Sequence, residues 1–338
     1  MSEKKSARLE DLARATGVSI STVSRALNDS PSVNMRTKQM IWRAAKEMDY
    51  PFRSYMPSAP IGAEATIAVI FSRPRARASR LGDPFLFDLL GGVAEAARER
   101  GCDIVLSHVS PASLAEFSDA VETSRAEGLI ILGQGGIHAA LNDLARSERR
   151  FVVWGGQLPD QAYCAIGSDN PIGARRATAH LLRLGRQKLI FLGDTEAIEA
   201  LQRYRGFVEA HDQAGLSIEP QQVVSALFEV ESAEAAVQSL IQSDVEFDGI
   251  VAASDLIALG AIRAIKRSGR RVPQDVSVVG YDDVPFSRYA SPALTTVSQD
   301  TAKAGRIMVS KLLEGGGLGV EQSERLPTEL IIRESCGA

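Results

Sequence analysis

The stretch LEDLARATGVSISTVSRALN, residues 9–28, decides how the N-terminal region folds. Leu9 to Ala15 reads as a short helix with Leu12 and Ala13 facing inward. Gly17 falls where a tight turn between two helices needs a left-handed backbone or a close approach. Ser19 stands at the N-cap of a second helix, and Val23, Ala26 and Leu27 return at helical spacing to the same small core. Ala13 is small at a point where steeply crossed helices leave no room for a long side chain. This is the pattern of a helix-turn-helix, and a third helix, Met35 to Met48, closes a three-helix core with Ile41, Ala45 and Met48. Ile20, Ser21, Ser24, Arg25 and Asn28 are left facing outward on the second helix. They combine hydrogen-bonding groups, a long cation and an aliphatic surface, which suits base edges in a DNA major groove. A three-helix docking module with a serine-rich face is the alternative the same residues allow.

The charge distribution agrees with a polyanion partner for this head. Residues 1–60 hold 10 Lys/Arg against 6 Asp/Glu, while the 38 basic and 42 acidic residues of the whole chain leave 28 and 36 for the rest, so +4 precedes −8. Residues 51–64, PFRSYMPSAPIGAE, carry Pro51, Pro57 and Pro60 and read as a linker. From residue 65 the texture changes. Short apolar runs, among them ATIAVIFS (65–72), GLIILG (128–133), FVVWGG (151–156), KLIFLGD (188–194), DGIVAAS (248–254) and VSVVGYDD (276–283), alternate with helical stretches such as LFDLLGGVAEAARERG (86–101) and RRATAHLLRLG (175–185). Near-continuous apolar strands separated by amphipathic helices specify parallel sheets covered on both faces, here in two similar halves.

In such folds ligands sit beyond the carboxyl ends of the strands, at the crevice the halves share. The candidates there are Ser72, Arg73, Phe85, Gln134 and Trp154 in the first half, and Asp194, Arg203, Ser254, Asp255 and Asp282 in the second. Charged groups that fork to vicinal hydroxyls and rings that stack on C–H faces make a set suited to polyols. Asp255 is expected to cap the helix beginning at Leu256 rather than to touch ligand.

VSISTVSRALN (18–28) followed by TKQMIWRAAKEMDY (37–50) resembles the headpiece of the lactose-repressor (LacI) family of bacterial transcription regulators. The resemblance runs on through SDNPIGARRATAHLLRLGRQKLIFLGD (168–194), RYRGF (203–207), SDLIALGAIRAIKRSGRRVPQDVSVVGYDD (254–283), SPALTTVSQD (291–300) and TELIIRES (328–335). It implies a helix-turn-helix domain (6–50), a hinge (51–64) and a periplasmic-binding-protein-like α/β core (65–338) of two doubly wound parallel-sheet subdomains. Their expected extents are about 65–160 plus 296–325, and about 161–295 plus 326–336. By the same resemblance Ser19, Ile20, Ser21, Ser24 and Arg25 lie at operator DNA, with Ile20 and Ser21 choosing bases. Thr22, Asn28, Ser32, Asn34, Thr37 and Tyr50 match positions that hold phosphates and register. Arg203 and Asp282 match effector contacts, Ser254 a position often filled by Asn, Phe85 an aromatic lining position and Gln299 a polar one at the cleft crossover.

Two departures stand out. The family's hinge carries a leucine that wedges into the minor groove, whereas here Tyr50 runs directly into Pro51 and Pro57 interrupts any helix; an altered hinge is expected, with Tyr55 or Met56 as a substitute wedge the alternative. Trp154-Gly155-Gly156 stands where many members carry a ligand-binding Asp.

Enzyme chemistry lacks a signature. The four histidines have no metal spacing, no GxSxG, P-loop or strand-borne GxGxxG is present, and GQGG (133–136) and EGGGLG (314–319) read as turns. Neither a metal nor a cofactor is implied. The three cysteines are sparse, no apolar run spans a membrane and no secretory leader precedes the head, so a cytoplasmic protein is expected. The sequence thus predicts an effector-responsive repressor of carbohydrate-utilisation genes. It acts as a homodimer on a near-palindromic operator and is switched by a sugar-like ligand. A free-standing sugar-binding protein of the periplasmic type is the alternative.

Overall fold

Six-residue and shorter apolar runs become strands in this chain because both of their faces are covered. In the computed structural model, which describes residues 8–27, 30, 32–48, 50, 65–72, 83–107, 116, 126–146, 150–314 and 319–338, the strands β1 (Thr66–Phe71), β3 (Gly128–Leu132) and β4 (Phe151–Trp154) are buried almost throughout. With β2 (Asp103–Ser107), β5 (Ala165–Ser168) and β11 (Glu324–Leu326) they form one sheet in the order β11-β5-β4-β3-β1-β2, every pairing parallel. The second sheet has the order β12-β10-β9-β8-β6-β7, from β6 (Leu189–Leu192), β7 (Val223–Val224), β8 (Gly249–Ala252), β9 (Ser277–Asp282), β10 (Thr295–Gln299) and β12 (Thr328–Ile331). Its edge strand β12 runs antiparallel to β10, pairing Thr296 with Ile331, which departs from the wholly parallel sheet expected.

Helices cover both sheets. α4 (Pro84–Glu99), α5 (His138–Ala145) and α10 (Thr301–Glu314) pack on the first sheet; α6 (Asn170–Arg183), α7 (Ile198–Ala214), α8 (Val230–Gln242) and α9 (Asp255–Arg267) serve the second. α6 and α7 approach closely at Gly206, where a Cβ would stand 2.1 Å from the Pro171 carbonyl oxygen. The glycine of RYRGF therefore serves helix packing, while its arginines lie elsewhere on the helix.

The strand memberships move the expected subdomain boundaries. β5 at 165–168 belongs to the first sheet, so the first crossing lies beyond residue 160, and β10 at 295–299 belongs to the second sheet, so the return follows it. β11 closes the first sheet at Leu326 and β12 resumes the second at Thr328. Three strand-to-strand passages thus join the halves, two more than a simple two-domain chain needs.

The head consists of α1 (Leu9–Thr16), α2 (Ile20–Leu27) and α3 (Met35–Glu47). Gly17 has the left-handed φ of 68° that the turn requires. Leu12, Val23, Ala26, Leu27, Val33, Ile41, Trp42 and Ala45 form its core, with Ala13 and Met48 packed at the side. Trp42, which the sequence reading passed over, is a central member: its indole Nε1 donates to the Ala26 carbonyl at 3.0 Å. The linker 51–64, with Tyr55 and Met56, lies outside the described residues.

Candidate effector crevice and nucleic-acid interface

The carboxyl ends of both sheets open onto one cavity of about 520 Å³. Ser72 follows β1, Gln134 follows β3, Trp154 ends β4 and Ser168 ends β5; Asp282 and Gln299 end β9 and β10 and face them from the other half. Helix starts add Phe85, Asn170, Glu199 and Arg203. This is where doubly wound sheets place ligands.

At the centre, Arg203 and Asp282 are 4% and 9% exposed. The Arg203 guanidinium lies 3.8 Å over the Tyr281 ring and its Nη1 stands 3.5 Å from Asp282 Oδ1. Its Nε donates to Asn170 Oδ1 at 2.9 Å and its Nη1 to the Ala253 carbonyl. Gln299 Nε2 donates to Asp282 Oδ1 at 2.6 Å, so a residue of β10 orients a carboxylate of β9. Asp282 adopts φ 115° and Asp283 φ 53°, and the Arg333 guanidinium holds Asp283 at 2.6 Å. A non-glycine residue at such a φ is strained, and such strain concentrates where geometry serves binding. Burial raises the Asp282 carboxyl well above the ordinary carboxylate range, against the opposing pull of Arg203.

Aromatic surface lines the opposite wall. The rings of Phe85 and Trp154 lie 5.7 Å apart and tilted, and Phe71 and Phe87 lie 5.9 Å apart. Gly155 has no room for a side chain because a Cβ would meet the Gln134 carboxamide at 2.4 Å. That contact accounts for Gly155, and at Gly156 a Cβ would meet the Gln202 carboxamide at 2.5 Å in the same way.

Six of the seven effector candidates are brought together here: Ser72, Phe85, Trp154, Arg203, Asp282 and Gln299. Ser254 is not among the lining residues. It is the N-cap of α9, its Oγ accepting from Ile257 N at 3.2 Å, which is the part expected of Asp255. Asp255 instead occupies the first helical position, fully buried, and accepts from Val284 N at 2.9 Å, Ser287 Oγ at 2.5 Å and Thr296 Oγ1. Burial nonetheless pushes its carboxyl up to about 6. Gln134 lines the cavity and Asp194 does not, while Arg73 lies outside the described residues. The sequence reading missed Asp83, Asn170 and Glu199. Asp83-Pro84 was legible as a helix start, and Glu199 stands one helical turn before Arg203; both signals were available.

In the head, Ser19 and Ser21 are exposed at the start of α2 and Arg25 in its last turn, and Ile20 is 48% exposed despite its apolar side chain. Ser19 Oγ accepts from Thr22 N at 3.2 Å and shares hydrogen bonds with Ser21 Oγ and Thr22 Oγ1. Arg25 Nε donates back to the Ser21 carbonyl at 3.1 Å, which lays the guanidinium along the same face. Ser24 is half-buried. Asn34 Oδ1 accepts from Thr37 N at 2.9 Å, so Asn34 caps α3, and exposed Ser32 hydrogen-bonds Ser30. Tyr50 packs half-buried against the head's core, and Asn28 lies outside the described residues. Arg36 and Arg43 flank a groove between α1 and α3. Among the described residues, no group of three or more His, Cys, Asp and Glu side chains is placed to hold a metal, and no helix is long and apolar enough to cross a membrane.

A three-helix helix-turn-helix head on a core of two sheets that share a crevice is the build of a transcription regulator. Residues 8–51 match bacterial regulatory proteins of the lacI family, and residues 178–336 match a periplasmic binding protein-like domain. The chain is 30% identical over 340 residues to the HTH-type transcriptional repressor PurR of Haemophilus influenzae strain PittEE, covering 97% of this chain and 98% of that one. It is 30% identical over 347 residues to the HTH-type transcriptional regulator CelR of Thermobifida fusca, covering 99% and 100%. In structure it resembles a CelR–cellobiose complex (TM-score 0.69, 29% identity, 97% of this chain and 99% of the other). It also resembles the lac repressor dimer bound to operator and the anti-inducer ONPF (TM-score 0.68, 26% identity, 99% and 100%). The chain belongs to the lacI family of bacterial transcription regulators: it is a DNA-binding regulator and not an enzyme.

Proposed function

We propose that the chain represses carbohydrate-utilisation genes. A homodimer presents two heads to a near-palindromic operator in the cytoplasm, and a sugar-like ligand between the lobes sets its affinity for DNA. The observation that carries this reading is the crevice itself, where Arg203, Asp282, Asn170 and Gln299 form one hydrogen-bonded set opposite the Phe85 and Trp154 rings. Charged forks for hydroxyls facing ring surfaces for C–H faces is the chemistry of polyol recognition. Cellobiose in the CelR complex and operator in the lac repressor dimer support the two halves of the reading.

Ser19, Ile20, Ser21 and Arg25 are assigned to the base edges, with Ser24 beside them, and Thr22, Asn28, Ser32, Asn34, Thr37 and Tyr50 to the phosphate backbone. Ser72, Phe85, Trp154, Arg203, Asp282 and Gln299 are assigned to the effector, and Ser254 acts only through the helix it caps. Ligand that binds the closed cleft better than the open one turns one lobe against the other, and head spacing follows by that difference in affinity. The free-standing binding-protein alternative has no use for the head matched over 8–51. A thermal-shift screen of sugars and glycosides tests the effector assignment, because a ligand that binds only the native state raises its melting point by mass action. Failure of every sugar, together with a response to another class, rejects the carbohydrate assignment.

A further inference from the structure

Gln202 stands beside Arg203 on α7 and is not among the residues that line the crevice, yet it joins the two lobes. Its Nε2 donates to the Gln157 carbonyl at 3.2 Å, in the turn that follows β4 of the first lobe. Its Oε1 accepts from Asn170 Nδ2 at 3.1 Å, and Asn170 Oδ1 accepts from Arg203 Nε at 2.9 Å. The polarity of this chain has a single solution. A guanidinium only donates, so Asn170 turns its oxygen to Arg203 and its amide nitrogen away. Gln202 meets that nitrogen with its own oxygen, which leaves its nitrogen for a backbone carbonyl. Flipping either amide sets donor against donor at one end and acceptor against acceptor at the other. Arg203, at the centre of the crevice, thereby dictates the orientation of the amide at the lobe junction.

The first lobe offers a fitted seat for that amide. A Cβ at Gly156 would stand 2.5 Å from Gln202 Nε2 and 2.7 Å from its Oε1. Gly156 is not among the residues of positive φ, so space rather than backbone conformation demands the glycine. The turn is pinned from behind: the Gly156 carbonyl accepts from Gln134 Nε2 at 2.8 Å, and the same nitrogen donates to the Tyr163 hydroxyl at 3.0 Å. The Arg203 end is anchored as well. Its Nη1 faces Asp282, which is held by Gln299, the last residue of β10 before the chain returns to the first lobe. A hydrogen bond is lost within about an ångström of separation, so lobes that turn apart break the Gln202–Gln157 contact.

Building on the proposal that Arg203 reads the effector and that head affinity follows the lobes, we infer that Gln202 is a positioning residue, the latch through which Arg203 sets how the lobes sit. Ligand that leaves Arg203 Nε on Asn170 keeps the latch closed. Ligand that draws Nε away frees both amides and releases the first lobe. The state of the crevice thus reaches the lobe junction through two side-chain amides that bias one equilibrium.

Fluorescence anisotropy of the full chain tests the latch with no small molecule present, on a duplex that the wild-type chain selects from a random library. The variants are Gln202→Ala, which removes the amide, Gly156→Ala, which displaces it from the opposite lobe, and the two combined. Both single variants are expected to shift DNA affinity in the same direction, by about threefold or more. Melting temperatures stay within a few degrees of wild type, because Gln202 is half-buried and a Cβ at Gly156 meets only its flexible end. The double variant shifts no further than Gln202→Ala, since no amide is left to displace. Additive or opposed shifts, or loss of the fold in the variants, overturn the latch. Unchanged DNA affinity in both single variants overturns it too, and leaves the crevice reading standing where a crevice-bound compound still alters wild-type affinity. If no such compound alters it, that reading falls as well.

Discussion

Arg203 and Asp282 form a buried ion pair, 3.5 Å apart, that links α7 to the end of β9 at the floor of the crevice. Neither charge reaches bulk water, and each is satisfied by further groups: Asn170 and Ala253 for the arginine, Gln299 for the aspartate. Removing one member strands the other. Arg203→Ala is therefore expected to cost about 3–5 kcal/mol of stability, measured by urea unfolding at neutral pH, and to abolish ligand binding. Arg203→Lys keeps the charge without the planar fork and restores stability in part and binding little. Unfolding free energies within 1 kcal/mol of wild type for the alanine variant would show that the pair holds nothing.

Asp255 makes a pH-dependent contribution of predictable sign. Its folded pKa, about 6, lies above that of an exposed aspartate, so the folded chain holds the proton more tightly. The resulting stabilisation is full below about pH 4 and is lost as pH rises through about 6, at a slope set by the difference in bound protons. Asp282 is shifted the same way and is electrostatically tied to Asp255, so the two titrate as a pair. The stability of wild type relative to Asp255→Asn should fall between pH 4 and 7. A difference that stays flat or grows over that range contradicts the assignment.

The head carries its own test in Trp42. Trp42→Phe keeps most of the ring volume but leaves the Ala26 carbonyl without its 3.0 Å donor. The cost is about 1–3 kcal/mol, confined to the head and visible as weaker DNA binding with unchanged ligand affinity. The chain has two tryptophans, so this variant also leaves Trp154 as the sole indole and a direct reporter of the crevice. Ligand addition should change its emission; a silent Trp154 in the presence of a saturating ligand would place that ligand elsewhere.

Arg25 and Ile20 separate affinity from sequence choice. Arg25→Ala should weaken specific DNA by about 1–3 kcal/mol and leave stability within about 0.5 kcal/mol, as for an exposed side chain. Ile20→Ala should change which bases are preferred more than how tightly DNA is held. Selection from a random duplex library, run in parallel on the two variants, reads both outcomes, and identical consensus sites from wild type and Ile20→Ala would exclude Ile20 from base readout.

Close helix approach at Gly206 predicts a cost with no functional rationale. A Cβ there meets Pro171 O at 2.1 Å and Arg175 N at 2.8 Å, both backbone atoms that cannot turn aside. Gly206→Ala should lose about 1–3 kcal/mol by overpacking, as a drop in the urea midpoint.

The fold was legible because its signals are local. Apolar runs such as Leu189–Leu192 and Gly249–Ala252 read as buried strands wherever they are placed, and Gly17 announced its turn through a backbone need that few other residues meet. The errors lie where the answer depends on a partner far along the chain. Ser254 and Asp255 are both good caps, and a one-residue difference in helix start exchanges their roles. What settles the choice is Val284, Ser287 and Thr296, brought to Asp255 from two later elements. The same limit hid Asn170: nothing within its own helix says that it orients Arg203. The crossing at β5 was misplaced at residue 160 because a strand of four buried residues looks alike in either sheet.

Filling the crevice is expected to change how tightly the head holds DNA. Fluorescence anisotropy on a duplex selected by the protein itself, with and without the compound that raises its melting temperature, reads that coupling. A change in DNA affinity of about tenfold or more is expected, within the ordinary range of allosteric coupling. Equal affinity in both conditions, with Trp154 emission showing the crevice occupied, would contradict it.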